Sequence, residues 1–171
     1  PAPSPLRGGP GWGFPPLTPN QPLPTHTTML HSTRTKSKEE QLVDTQTIRT
    51  GGCLCGAVRY ELQGEPFVSG LCHCTTCRKI TGSVVSATAN WLRDQVKIIG
   101  AFSTYDNRQF CPQCGSRLFF LGDKDVEVFL GTLDDAPSGI APQSEIWTIR
   151  RESWLPPLPG VPTHERNRPK T

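Results

Sequence analysis

The seven cysteines of this 171-residue chain fall into three tight clusters and occur nowhere else. The clusters are Cys53-Leu54-Cys55, Cys72-His73-Cys74-Thr75-Thr76-Cys77 and Cys111-Pro112-Gln113-Cys114-Gly115. Sulfurs two or three positions apart can be aimed at one ion, and thiolate is a ligand that zinc favours. Clusters of two, three and two ligands fall one short of two four-cysteine sites. They divide naturally into one saturated tetrahedral site and one site of three protein ligands with an open position, where chemistry can occur. A disulfide framework explains the same residues poorly. The count is odd, a Cys-x-Cys pair is cramped for a direct bridge, and no stretch of the sequence has the apolar core of a signal peptide. Clustered cysteines in a reducing compartment indicate metal or redox chemistry, and the expected location is cytoplasmic. A thioredoxin-like role for Cys74/Cys77 or Cys111/Cys114 calls for a strand-to-helix context that the sequence pattern does not display.

Composition separates the cysteine-bearing stretch from its flanks. Pro1 to Pro24 holds nine prolines, has little to bury and is expected to be disordered. Met29 is the only methionine, and it is expected to begin the native protein, with Pro1–Thr28 as upstream sequence. Residues 51–147 carry eight Lys/Arg against ten Asp/Glu, so the positive balance of the chain lies in its ends. Those basic residues (Arg34, Lys36, Lys38, Arg150, Arg151, Arg166, Arg168, Lys170) form no long block and read as solvated tails rather than a nucleic-acid surface. No apolar run approaches the roughly twenty residues of a membrane span. The expected organisation is a Pro-rich and basic tail over 1–49, a zinc-binding domain over 50–156 and a C-terminal tail over 157–171. Oligomeric state is not legible.

Within the domain the pattern is all-β. Residues 57–62 alternate apolar and polar, and residues 84–89 form a small and β-branched run suited to burial. Residues 96–99 and 102–105 flank Gly100, and Asp106-Asn107 marks a turn. Residues 118–121 and 126–130 face each other across Gly122–Asp125 as a hairpin. Helix is expected only as short turns around Cys77–Thr81 and Trp91–Asp94.

The two-residue gap of Cys111/Cys114 suits a zinc knuckle, with Gly115 free to adopt the positive φ of such a turn. Cys53 and Cys55 supply the ligands to complete it, although pairing Cys53/Cys55 with Cys74/Cys77 satisfies the spacing equally. Under the first arrangement Cys72, Cys74 and Cys77 form the open site. His73, between two ligands, points away from them if the segment is extended, which fits a supporting hydrogen bond or a surface position better than ligation. Arg78 and Lys79 follow the last ligand and are candidates to counter the thiolates or to receive a substrate carboxylate, and solvated surface explains them as well.

Gly52-Cys53-Leu54-Cys55-Gly56, Cys72-His73-Cys74-Thr75-Thr76-Cys77-Arg78-Lys79-Ile80-Thr81-Gly82, Phe110-Cys111-Pro112-Gln113-Cys114-Gly115-Ser116, Gly131-Thr132-Leu133-Asp134-Asp135 and Ile146-Trp147 together resemble the glutathione-dependent formaldehyde-activating enzyme / centromere protein V family over about Gly51 to Trp154. The resemblance implies a β-tent fold of antiparallel sheets around two zinc ions. One would be structural, on Cys53, Cys55, Cys111 and Cys114; the other catalytic, on Cys72, Cys74 and Cys77. It further implies a zinc-dependent carbon–sulfur lyase that joins a small thiol, glutathione by family resemblance, to formaldehyde reversibly. The alternative is a non-catalytic zinc-binding interaction module of the centromere protein V type.

Overall fold

The computed structural model describes residues 47–169. The Pro-rich segment, Met29 and most of the expected N-terminal tail lie outside the described residues. Eleven strands and one helix make up the described chain: β1 (Ile48–Gly52), β2 (Arg59–Gln63), β3 (Val68–Cys72), α1 (Thr75–Thr81), β4 (Ser86–Leu92), β5 (Val96–Ile99), β6 (Ser103–Tyr105), β7 (Arg108–Phe110), β8 (Arg117–Leu121), β9 (Asp125–Phe129), β10 (Glu145–Ile146) and β11 (Thr163–His164). Each strand predicted from alternation is present, and the Trp91–Asp94 hint is a 3-10 turn at Arg93–Gln95.

Three strands form a small antiparallel sheet, in the order β1-β2-β5. Eight form a larger one, in the order β11-β10-β3-β4-β9-β8-β7-β6. The larger sheet is mixed, because β10 runs parallel to both β3 and β11. This modifies the expectation of purely antiparallel sheets. Parallel neighbours need a crossover, and the long excursion from β3 to β10 provides it. β11 also carries the ordered sheet past Pro156, where the sequence reading ended the domain. The residues around it are tied down: the Trp147 N–H donates to the Arg166 carbonyl at 3.1 Å and the Trp147 indole to Asn167 at 2.8 Å. Proline content there had suggested a tail, but two short parallel strands suffice to pin such a segment.

Strand alternation decides which side of the large sheet is dry. Trp91 lies opposite Val126, and Ala89 opposite Val128. All four are fully buried, with Tyr60, Leu62 and Val96 from the small sheet and Phe119 from β8. Phe119 meets Tyr60 and Phe102 edge-on, with centroids 6.1 and 5.5 Å away, the arrangement aromatic quadrupoles favour. The intervening residues Thr88, Asn90, Glu127 and Phe129 therefore face the other way. A register shift on β8 adds to this. Gln109 pairs with Phe119 but Phe110 pairs with Arg117, leaving Leu118 as an extra residue. The bulge puts both Leu118 and Phe119 in the core and turns Arg117 to the opposite face.

Candidate metal centre

The seven sulfurs gather into two groups, Cys53/Cys55/Cys111/Cys114 and Cys72/Cys74/Cys77, with the ligand atoms of each group within 4.8 Å of one another. The rival pairing of Cys53/Cys55 with Cys74/Cys77 is not formed. All seven thiols are free. In the first group Cys55 Sγ lies 3.5 Å from Cys53 Sγ and 3.7 Å from Cys111 Sγ. A disulfide needs about 2.05 Å. A tetrahedron with metal–sulfur bonds of about 2.3 Å has edges of about 3.8 Å, which these separations approach.

Two similar turns build the first group. Cys53 N–H donates to the Val58 carbonyl at 2.9 Å and Cys111 N–H to the Ser116 carbonyl at 3.0 Å, each closing a loop around its cysteine pair. The loops reverse at Gly56 (φ 78°) and Gly115 (φ 75°), a backbone region that a Cβ disfavours. Peptide and hydroxyl donors then face the sulfurs: Val58 N–H reaches Cys53 Sγ at 3.2 Å, and Ser116 Oγ lies 3.2 Å from Cys114 Sγ. The Ser116 hydroxyl and N–H pull the Cys114 thiol down to about 5. Cys55 moves the other way: against a bond from the Ala57 N–H, the contact with Cys53 pushes its thiol up to about 12. The four sulfurs are a full tetrahedral set for zinc.

The three-cysteine group lies where β3 runs into α1. Cys74 is the N-cap of α1, its Sγ accepting from Cys77 N–H at 3.4 Å, while Cys74 N–H reaches Cys72 Sγ at 3.5 Å. The strand-to-helix context that the sequence did not display is thus present, but Cys72 joins the Cys74/Cys77 pair and makes a three-sulfur cluster of it. Cys72 is pulled down to about 6, chiefly because the Cys77 thiol bonds to its sulfur; the same sharing pushes Cys77 up. This donor set also fits zinc, with one position fewer filled by protein.

His73 projects away from the three sulfurs, as the extended reading predicted, and is fully buried. Its Nε2 lies 2.7 Å from Glu145 Oε1, and Arg151 Nη1 donates to Glu145 Oε2 at 3.1 Å. Burial works against the Glu145 charge, but the bonds from His73 and Arg151 outweigh it and hold the carboxyl below its usual range. His73 N–H also donates to the Ile146 carbonyl at 3.1 Å, so the ligand loop is fastened to β10 through both backbone and ring. Arg151, expected in a solvated flank, is part of this support.

Arg78 does not stand ready for a substrate. Its guanidinium is paired with Glu152 and also donates to the Arg150 carbonyl at 3.1 Å. Lys79 is exposed. The residues that do share a cavity with Cys72, Cys74 and Cys77 include Thr88, Asn90, Glu127, Ser144, Trp147 and Arg168, around about 280 Å³. Glu127 is half-buried, and its carboxylate has no hydrogen bond or ion pair among the described residues; its charge opposes ionisation of Cys72. Sequence reading missed it because an acid alternating with Val126 and Val128 looks like the wet face of any strand. The cross-strand register, which a single sequence does not reveal, turns that face toward the cysteines. No helix among the described residues is long and apolar enough to cross a membrane.

No curated protein matches the sequence. A crystal structure of a Rhodobacter sphaeroides protein is similar at 19% identity and a TM-score of 0.41, covering 54% of this chain and 97% of that one. The family model described as glutathione-dependent formaldehyde-activating enzyme matches residues 48–150, which include all seven cysteines and the first ten strands. The chain therefore belongs to the glutathione-dependent formaldehyde-activating enzyme family.

Proposed function

We propose that the protein is a zinc-dependent carbon–sulfur lyase that forms and cleaves the adduct of a small thiol, glutathione by family, with formaldehyde. The observation that carries this reading is the contrast between the clusters: four cysteines complete one set, whereas three line a cavity. Cys53, Cys55, Cys111 and Cys114 would hold a structural ion, and Cys72, Cys74 and Cys77 a second, reactive one. A zinc ion in the second site would stabilise a substrate sulfur as thiolate at neutral pH.

The chain's own groups supply the rest. The Glu145–His73 bond and the β10 pairing fix the ligand loop, so the direction of the three sulfurs is set before substrate arrives. Glu127 is the carboxylate in the cavity that can move a proton. In cleavage it takes the hydroxyl proton of an S-hydroxymethyl thiol. The oxygen electron pair forms the carbonyl of formaldehyde, and the carbon–sulfur pair leaves with sulfur. In synthesis the thiolate attacks the aldehyde carbon and Glu127 returns the proton to oxygen. Thr88, Asn90 and Ser144 provide polar contacts around the reacting carbon.

The test is the thiol-dependent rate of formaldehyde adduct formation and cleavage with zinc-loaded protein. Cys74→Ser should abolish catalysis, and Glu127→Gln should lower kcat about a hundredfold or more with little change in thiol affinity. Wild-type protein with full zinc and no rate above background would leave the non-catalytic interaction module as the better reading.

A further inference from the structure

A second cavity, of about 570 Å³, opens beside α1 and is lined in part by Arg117, which has no anionic partner among the described residues. Its lining includes Ile80 and Thr81 of α1, Ser86 of β4, Arg117 of β8 and Phe129 of β9. Arg117 Nε and Nη2 are fully buried and have no hydrogen-bond acceptor among the described residues. Most other described arginines are paired: Arg49 with Glu65, Arg59 with Asp134, Arg78 with Glu152, Arg108 with Asp106, Arg151 with Glu145. Arg117 instead lies over the Phe110 ring, 5.5 Å from its centroid, a contact that holds the guanidinium plane without satisfying its N–H groups. Ser86, 2% exposed, also has a hydroxyl without a partner among the described residues. Arg117 as a whole is half-buried, but buried polar atoms are ordinarily bonded, and leaving them unpaired is costly. Two such groups lining one cavity indicate a ligand that completes them.

The register relates this cavity to the cysteines. Ser86 lies directly opposite Cys72, and Phe129 opposite Thr88, so these side chains share the outer face of the large sheet. α1 contributes Cys77 to the first cavity, and one turn later Ile80 and Thr81 to the second. The bulge at Leu118 is what brings Arg117 to this same face.

We propose that Arg117 and Ser86 form a carboxylate-binding subsite for the far end of the thiol substrate whose sulfur is held at Cys72, Cys74 and Cys77. The guanidinium fork matches a carboxylate in two parallel bonds, and the serine hydroxyl donates a third. This subsite replaces Arg78 as the substrate's anchor. It rests on the lyase reading for the identity of the ligand, but not for the existence of the anion site.

The experiment is calorimetry on the zinc-loaded full chain with four ligands: glutathione, its analogue with the thiol replaced by methyl, 2-mercaptoethanol and propionate. Arg117→Met should weaken both peptides about ten- to a hundredfold and leave 2-mercaptoethanol unchanged, with Arg117→Lys intermediate. The Arg117→Met protein should melt no lower than wild type, because it removes two buried N–H donors that have no acceptor among the described residues. Unchanged affinity of Arg117→Met for both peptides overturns the subsite. So does an equal loss for 2-mercaptoethanol, which would mean a general structural effect. Propionate binding as tightly as the peptides, and with the same Arg117 dependence, would make this a free-anion site and overturn the substrate assignment. Arg117-dependent binding of the two peptides with equal affinity would uphold the subsite while removing the thiol reading.

Discussion

Replacing Glu145 with glutamine removes one charge and almost no volume, and isolates what the His73–Glu145–Arg151 chain does for the three-cysteine cluster. Glu145 is 1% exposed, with bonds of 2.7 Å to His73 and 3.1 Å to Arg151. Breaking a buried pair by removing one partner costs about 3–5 kcal/mol. Two features reduce that here: the amide oxygen still accepts from one neighbour, and Arg151, 23% exposed, can rehydrate. The expected loss is about 2–3 kcal/mol, or roughly 10 °C in melting temperature for an ordered region of this size. Because the ring of His73 fastens the loop that carries Cys72 and Cys74, metal affinity at the three-cysteine site should also fall about tenfold, with the four-cysteine site unaffected. Thermal melting at fixed free zinc and competition with a chromophoric chelator measure both effects. Glu61→Gln, which breaks the exposed pair with Lys97, is the control and should cost at most about 0.5 kcal/mol. Equal melting temperatures for the two variants, or equal zinc loss from both metal sites, would refute the reasoning.

The same residue governs part of the acid limb. Its folded-state pKa is depressed, so its contribution is fully present above the unfolded value of about 4.3 and disappears as pH falls through the folded one; Glu145→Gln should flatten the stability–pH curve in that window, read by denaturant midpoints. Cys114→Ser should unfold the domain on mild chelation, because metal binding there is folding free energy, whereas Cys74→Ser should remain folded by circular dichroism and lack one metal ion; the reverse pattern would mean the two roles are exchanged. Phe119→Ala should cost about 3–5 kcal/mol by denaturant titration through loss of its contacts with Tyr60 and Phe102, while Arg117-dependent ligand binding persists in the fraction that stays folded.

Spacing made the metal clusters legible, since Cys-x-Cys and Cys-x-x-Cys turns are local and need no knowledge of the fold. Alternation did the same for the strands around Tyr60, Trp91 and Val126, because the side that is dry repeats every second residue. His73 was readable in direction for that reason, but its partner was not: Glu145, itself held by Arg151, lies more than seventy residues away and reaches it through a parallel pairing with no local signature. Glu127 and Arg117 stayed hidden because each looks like an ordinary outward charge on a strand. What distinguishes them is the cross-strand register and a one-residue bulge, both settled only when the sheet is assembled. The prolines of the C-terminal segment read as a tail, whereas Thr163 and His164 between them pair with β10.

On the proposed function, the four-cysteine cluster is closed and the three-cysteine cluster is open to a thiol. Cobalt substitution tests it directly, since each thiolate added to tetrahedral Co(II) changes the charge-transfer and ligand-field absorption. The account predicts two metal ions per chain in wild type and one in Cys74→Ser, and a glutathione-induced spectral change that saturates at one equivalent in wild type and vanishes in Cys74→Ser. A single bound ion in wild type, or a spectrum indifferent to glutathione, would contradict it.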